Sequence, residues 1–149
     1  MAMYSMEISV NWGESDPFGL VYYPRELAWF NDVEHELFRH VGFPIDRMIK
    51  DTQTAFVMGE IHFRFVGPAA YGDRVTCTIA LKDIRDKTLH WNCKAVNMRT
   101  GQQVTEGHAV RVFAQIQEDG NLKSMRIPAE IRDALTTMGD IQAIPPRLE

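Results

Sequence analysis

Pro24-Arg-Glu-Leu-Ala-Trp-Phe-Asn-Asp-Val-Glu-His-Glu-Leu-Phe-Arg-His-Val41 decides the architecture of this chain. Leu27, Phe30, Val33, Leu37 and Val41 recur at steps of three and four, and Trp29 and Phe38 widen the stripe. That is the pattern of a helix with one apolar face. Pro24 suits the first turn, where its missing N–H costs nothing. Gly42 supplies a stop, and Pro44 prevents the helix from resuming. At roughly 18 residues and 1.5 Å per residue the helix spans about 27 Å, long enough to cross a domain.

The flanking segments read as strands. Upstream, Tyr4, Met6, Ile8, Val10 and Trp12 alternate with Ser5, Glu7, Ser9 and Asn11, which predicts a half-buried strand from Tyr4 to Trp12. Gly13 to Gly19 carries loop chemistry. Downstream, a short helical turn over Ile45 to Lys50 is followed by alternating runs. Ile61, Phe63 and Phe65 form one apolar set; Val75, Cys77, Ile79 and Leu81 a second; Leu89, Trp91, Cys93 and Ala95 a third. In the run Val104 to Ile116 the apolar face is Val110, Val112, Ala114 and Ile116. Asp83 to Lys87, Arg99 to Gln102 and Glu118 to Asn121 read as hairpin connections, and Pro128 to Met138 as a closing amphipathic helix. A sheet with one apolar face must cover it, and the long helix is the only element large enough. The expected class is therefore α+β, a curved antiparallel sheet wrapped around one central helix.

The 149 residues fit one domain spanning 1–149, with the final Leu148-Glu149 read as a cloning remnant. Hydrophobic residues at 45% and charged residues at 24% exclude a disordered or fibrous chain. A net charge of −4 argues against bulk nucleic-acid binding. No stretch reaches the roughly 18 apolar residues of a membrane span. The N-terminus shows no basic region followed by an apolar run, so a cytoplasmic location is expected.

Several reactive arrangements are absent from the sequence. There is no G-x-S-x-G elbow, no phosphate-binding P-loop and no G-x-G-x-x-G. His35 and His40 lie about 140° apart on a helix of 3.6 residues per turn, so they cannot share a metal and read as surface or edge histidines. Cys77 and Cys93 fall on apolar strand faces and read as small core residues. What remains is Trp12-Gly-Glu-Ser-Asp-Pro-Phe-Gly-Leu-Val-Tyr-Tyr-Pro24, a loop carrying Asp16 into the start of the central helix. The first amides of a helix lack internal partners and carry the positive end of its dipole, so they can hold a developing oxyanion. Pro24 has no N–H, which leaves Tyr23 and the residues after Pro24 as donors. Asp16 beside such a site can attack a carbonyl or activate a water. The same residue also suits an Asx-type turn before Pro17, and spacing alone leaves both readings open.

The stretch Trp12 to Pro24, followed by Trp29-Phe30, resembles the signature of the 4-hydroxybenzoyl-CoA thioesterase-like family. Phe63-Arg-Phe-Val-Gly-Pro-Ala-Ala-Tyr-Gly-Asp73 is similar to that family's second strand and turn. The resemblance implies the hotdog fold and hydrolysis of acyl-CoA thioesters, with no cofactor and no metal. It implies that Asp16 is the catalytic carboxylate and that Tyr23 supplies the helix-start amide that polarises the thioester carbonyl. It also implies a homodimer or homotetramer whose sites lie between subunits.

The same resemblance places Arg85 and Lys87 where family members carry basic residues for the coenzyme phosphates. Asp83 and Asp86 beside them fit an ordinary solvated hairpin equally well. Lys123 and Arg126 are secondary candidates. Asn31 stands at the helix position where aromatic-acyl members carry a carboxylate that reads the ring hydroxyl, and Ile45-Asp46 stands where they carry Trp. Asn31 is thus a candidate donor to a polar acyl group, or part of a polar stripe. Two other functions compete. A hotdog hydratase or dehydratase would need a His near Asp16, for which His62 is the candidate. A non-catalytic acyl-CoA-binding module would keep Arg85 and Lys87 without needing Asp16.

Overall fold

A computed structural model describes residues 1–142 of the chain, so Leu148-Glu149 lies outside the described residues. The elements run β1 (Met3–Ser9), a single 3-10 turn (Trp12–Glu14), α1 (Tyr23–His40), α2 (Ile45–Thr52), β2 (Thr54–Phe65), β3 (Arg74–Ile84), β4 (Thr88–Asn97), β5 (Gln103–Ile116), β6 (Leu122–Ser124), α3 (Ala129–Thr137) and β7 (Asp140–Gln142). The strands form one sheet in the order β2-β5-β4-β3-β1-β7, with β6 pairing the end of β5. Every pairing is antiparallel except β1 with β7. No helix among the described residues is long and apolar enough to cross a membrane.

Alternation sets the core. Val75, Cys77, Ile79 and Leu81 of β3 and Leu89, Trp91, Cys93 and Ala95 of β4 are buried, as a period of two requires. They cluster with Trp29, Phe30, Val33, Leu37 and Phe38 of α1. Phe38 stacks on Phe56 at 5.2 Å and meets Trp91 edge-on at 6.4 Å. Each such side chain contributes about 1.5–3 kcal/mol when fully buried. α1 stops as the sequence predicts. Gly42 sits at φ 91°, the Phe43 N–H reaches the Phe38 carbonyl at 2.9 Å, and the Gly42 N–H reaches Arg39. This satisfies the last carbonyls of the helix.

Two expectations are corrected. The first strand ends at Ser9, and Trp12 is 73% exposed rather than part of an apolar strand face. The cause is register. Ser9 pairs Arg74, the first residue of β3, and Val10 still bonds Asp73 and Gly72 at the turn before it, so beyond Val10 the chain has no ladder to join. The chain turns out of the sheet through the Trp12–Glu14 turn, closed by the Asn11 N–H on Glu14 Oε1 at 2.8 Å. The second correction concerns β5. Its helix-facing side chains include Thr105, Arg111 and Phe113, not the set Val110, Val112, Ala114 and Ile116. Thr105 bonds Glu26 and Arg111 bonds Glu34, both on α1, while Phe113 packs on Phe56. Polar partners on the helix fix this register, and apolar alternation alone does not reveal it.

The sheet begins at β2, whose outer edge is unpaired among the described residues. Met58, Ile61, Phe65 and Val66 are all exposed there by 39–47%. At the other end of β2, Phe65 leads into the turn before β3. Asp73 closes that turn. Its carboxylate accepts from the Ala70 N–H at 3.1 Å, Asn97 Nδ2 at 2.8 Å and Arg99 Nε at 2.7 Å. Its carbonyl accepts from the Val10 N–H at 2.9 Å.

The Arg99 guanidinium, with Asn97 and the Ala70 amide, holds the Asp73 carboxyl down at about 2. A depressed acid stabilises the fold above the ordinary carboxylate range, and that stability is lost as pH falls toward 2. Asp73→Asn should therefore lower thermal stability at pH 7 by about 1–3 kcal/mol, the cost of disrupting buried hydrogen bonds. It should also flatten the loss between pH 4 and 2 in melts followed by circular dichroism. An unchanged acid limb in the variant would show that another carboxylate governs it.

Candidate active site

The loop from Asn11 to Tyr22 is held from two sides and closed on itself. Glu14 Oε2 accepts from the Trp29 indole N–H at 2.9 Å, and the Glu14 carbonyl accepts from the Tyr22 N–H at 2.7 Å. The Val21 N–H reaches the Ala69 carbonyl at 2.9 Å, and Leu20 bridges Ala70. The loop is thereby pinned to α1 on one side and to the Asp73 turn on the other.

Within it Asp16 forms a tight turn. Oδ1 accepts from the Phe18 N–H at 2.8 Å and from the Leu20 N–H at 3.3 Å. The turn needs Gly19 at φ 78°, a conformation that favours glycine. The Asx reading is thus correct for one oxygen. Oδ2 makes no hydrogen bond among the described residues. The turn therefore orients the carboxylate and leaves half of it available.

α1 starts at Tyr23 with no side-chain cap on its N-terminus. Among the described residues the Tyr23 N–H has no hydrogen-bond partner. Asp16 and Tyr23 line one open cleft of about 530 Å³, walled by Val21, Phe65 and Pro68. Its volume lies in the usual range of small-molecule sites. The tyrosine ring leans on Phe65 at 5.5 Å.

The cleft also contains Glu26, which the sequence reading passed over. Glu26 is 5% exposed and accepts from Thr105 Oγ1 at 2.7 Å. Burial raises its carboxyl above the ordinary value, and the threonine bond partly offsets this. The available signal was position. Glu26 lies three and four residues before Trp29 and Phe30, inside the apolar stripe rather than on the solvated face.

Asn31 is not in this cleft. It borders a narrower hollow of about 30 Å³ further along α1, with Phe30, Glu34, Trp91 and Arg111. Arg111 Nη2 donates to Asn31 Oδ1 at 2.6 Å and pairs with Glu34 at 2.9 Å. Burial pushes the Glu34 carboxyl up, against the pull of Arg111. The Trp91 indole N–H is buried without a hydrogen-bond partner among the described residues; it is near enough to favour charged Glu34 but lacks bonding geometry.

Arg85 and Lys87 occupy the β3–β4 hairpin, with Arg85 paired to Asp83 at 3.0 Å. Arg126 pairs with Asp86 at 3.2 Å, and Arg132 donates to the Arg85 carbonyl, so this corner is rich in cations. Lys123 lies nearby on exposed β6. The hairpin is at the wrong end of the protomer for the cleft. β3 starts beside the Asp73 turn and runs its 11 residues away from it, about 33 Å at a strand's rise. Another hollow, of about 550 Å³, lies between α2, β5 and α3 at that far end, lined by Phe43, Met48, Phe113 and Met125; none of the expected site residues lines it.

His62 is exposed and stacks on His108 at 4.8 Å, and no histidine lines the Asp16 cleft. Cys77 and Cys93 are buried free thiols; burial raises both, Cys93 to about 12, so neither is a nucleophile at neutral pH.

A sheet wrapped on one helix, with a loop carboxylate at the helix start, defines a hotdog-type protein. The chain belongs to the thioesterase-like superfamily, whose family model matches residues 10–135. It is 24% identical over 135 residues to the 4-hydroxybenzoyl-CoA thioesterase of Pseudomonas sp. strain CBS-3, covering 85% of this chain and 92% of that one. A 1,4-dihydroxy-2-naphthoyl-CoA thioesterase from Synechocystis superposes with a TM-score of 0.82 at 15% identity, over 91% of this chain and 97% of that one. A gentisyl-coenzyme A thioesterase gives 0.76 at 25% identity, over 86% and 98%.

If Glu14 is what clamps the loop, Glu14→Ala should cost about 1–3 kcal/mol, because the buried Trp29 N–H loses its acceptor. Amide exchange at Phe18, Leu20 and Tyr22 should accelerate in the same variant. Unaltered exchange at those three positions would show that the loop is held by its own turn alone.

Proposed function

We propose that this protein hydrolyses an acyl-CoA thioester to the free acid and CoA, with Asp16 as the reacting carboxylate and the Tyr23 N–H as oxyanion donor. The observation that carries the reading is the pairing of a half-free carboxylate with an uncapped helix start in one cleft. The three relatives named above, each described as a thioesterase of an aromatic acyl-CoA, support the same chemistry. A thiolate leaves with a pKa near that of a free thiol, about 8.5, so no strong general acid is needed. Asp16 Oδ2 either attacks the carbonyl carbon or takes a proton from the attacking water. Negative charge then collects on the carbonyl oxygen, where the Tyr23 N–H and the α1 dipole stabilise it. Collapse breaks the C–S bond and releases the CoA thiolate. No histidine lines the cleft to support a hydratase.

The coenzyme role of Arg85 and Lys87 requires a second copy. The unpaired β2 edge, with Met58, Ile61 and Phe65 exposed, is the surface on which two copies would pair. Two-fold antiparallel pairing of β2 with β2 runs the two protomers in opposite directions. The far-end hairpin of one copy is then carried toward the cleft end of the other. The reading is a homodimer, or a tetramer built from such dimers, with composite sites.

Asp16→Asn should lower turnover on the order of 10²-fold or more, with the melting temperature retained. The substrates are a panel of short, long and hydroxyaryl acyl-CoAs, assayed by free-thiol release. Binding of acyl-CoA by the wild type without turnover would favour the non-catalytic module instead.

Composite sites make a separate prediction. Asp16→Asn and Arg85→Ala/Lys87→Ala copies, each weakly active with acyl-CoA, should regain activity when their subunits are exchanged. About a quarter of the sites in a random mixture of two-fold dimers would be intact. No gain in the exchanged mixture would place each site within one protomer.

A further inference from the structure

We propose that Glu26 is a second acid–base group of the Asp16 cleft, taking the proton from the water that attacks the acyl carbon. This rests on reading the cleft as a thioesterase site. Glu26 reaches the cleft from the first turn of α1, one helical turn from the Tyr23 amide, and lines the same walls as Asp16. Its anchorage is one-sided. Thr105, itself fully buried on β5, donates to Oε1. Oε2 makes no hydrogen bond among the described residues.

The environment of Glu26 differs from that of the other buried glutamate on the helix. Glu34 is paired with Arg111, whereas among the described residues no lysine or arginine lines the cleft around Glu26. The titratable groups that face Glu26 are Asp16 and Tyr23 in the cleft and Cys77 of β3 behind it. None of them supplies a compensating positive charge. A structural role does not call for this arrangement, because a buried carboxyl without a cation costs stability. A carboxyl raised toward neutral by burial is, however, the kind of group that can accept a proton in one step and release it in the next. Desolvation is what raises Glu26.

The step balances. A water O–C bond forms at the acyl carbon while a proton passes from that water to Glu26 Oε2. Asp16 has by then attacked the acyl carbon and released the CoA thiolate, so collapse of the tetrahedral species breaks the anhydride C–O bond and returns the Asp16 carboxylate. Glu26 serves as the base because Asp16 is bonded to the acyl group. Glu26 then returns its proton to the thiolate or to solvent, and the acid product leaves ionised.

The test is the pH dependence of kcat in three proteins. In the wild type, kcat should fall on the acid side as Glu26 protonates. Glu26→Gln keeps the Thr105 contact and the shape, so its melting temperature should hold. Its kcat should drop on the order of 10²-fold, the scale of a positioned acid–base group, with KM little changed and the acid limb lost. Thr105→Val removes the bond that favours the charged form, so the acid limb should move to higher pH. A folded Glu26→Gln with wild-type kcat and an unmoved acid limb, beside an inactive Asp16→Asn, would overturn this role and leave the thioesterase reading standing. Absence of hydrolysis by the wild type across the panel would overturn both.

Discussion

The cleft depends on one carboxylate that takes no part in its chemistry. Asp73 gathers the Ala70 amide, the Asn97 amide and the Arg99 guanidinium onto two oxygens, and its carbonyl anchors Val10. Three separate stretches therefore converge there: the end of β1, the turn before β3, and the β4–β5 connection. The turn in turn receives the Asp16 loop through Val21 on Ala69 and Leu20 on Ala70. Charge-assisted hydrogen bonds are stronger than neutral ones, and a carboxylate can accept several at once. The rigidity that positions Asp16 is thus supplied by a side chain outside the cleft, while Asp16 spends only one oxygen on its own turn.

α1 carries the second constraint. Its stripe is apolar except at Glu26 and Glu34, and the protein handles these two buried acids differently. Glu34 is paired with Arg111, an arrangement that offsets part of the cost of burying the carboxylate and is strongly destabilising to break. Among the described residues Glu26 has one hydroxyl partner and no cation. A helix optimised for stability would carry apolar residues at both positions. Uncompensated burial of a titratable group is a feature of functional sites more than of structural ones, and it falls at the end of the helix where the N-terminal amide is also left open.

The same contrast explains what was legible in the sequence. The helix periodicity from Leu27 to Val41 and the alternation in β3 and β4 were sufficient for the architecture, because both follow from burial of apolar surface. β5 was misread because its inward face holds Thr105 and Arg111, whose burial makes sense only once their partners on α1 are known. Trp12 was misread because the end of a strand is set by where its neighbour begins, a non-local fact. At Asp16 the loop chemistry was legible, and so was the turn; what spacing cannot show is that the turn uses one oxygen, Oδ1, and leaves Oδ2 without a partner among the described residues. Asn31 was placed correctly on the helix, but not the Arg111 that occupies its oxygen.

The hairpin shows where linear reasoning stops. Arg85 and Lys87 have the chemistry for phosphate, and the loop around Asp16 has the chemistry for a thioester, yet a full-length strand lies between them. Within one protomer the Asp16 cleft and this cation-rich hairpin lie at opposite ends of β3. The unpaired β2 edge bears a row of exposed apolar side chains beside open backbone groups, which is costly to leave in water. Antiparallel pairing across that edge would satisfy the backbone, bury the apolar row, and reverse one protomer against the other in a single operation. Such a two-fold pairing would bring the cleft of one copy and the hairpin of the other to the same end of the assembly.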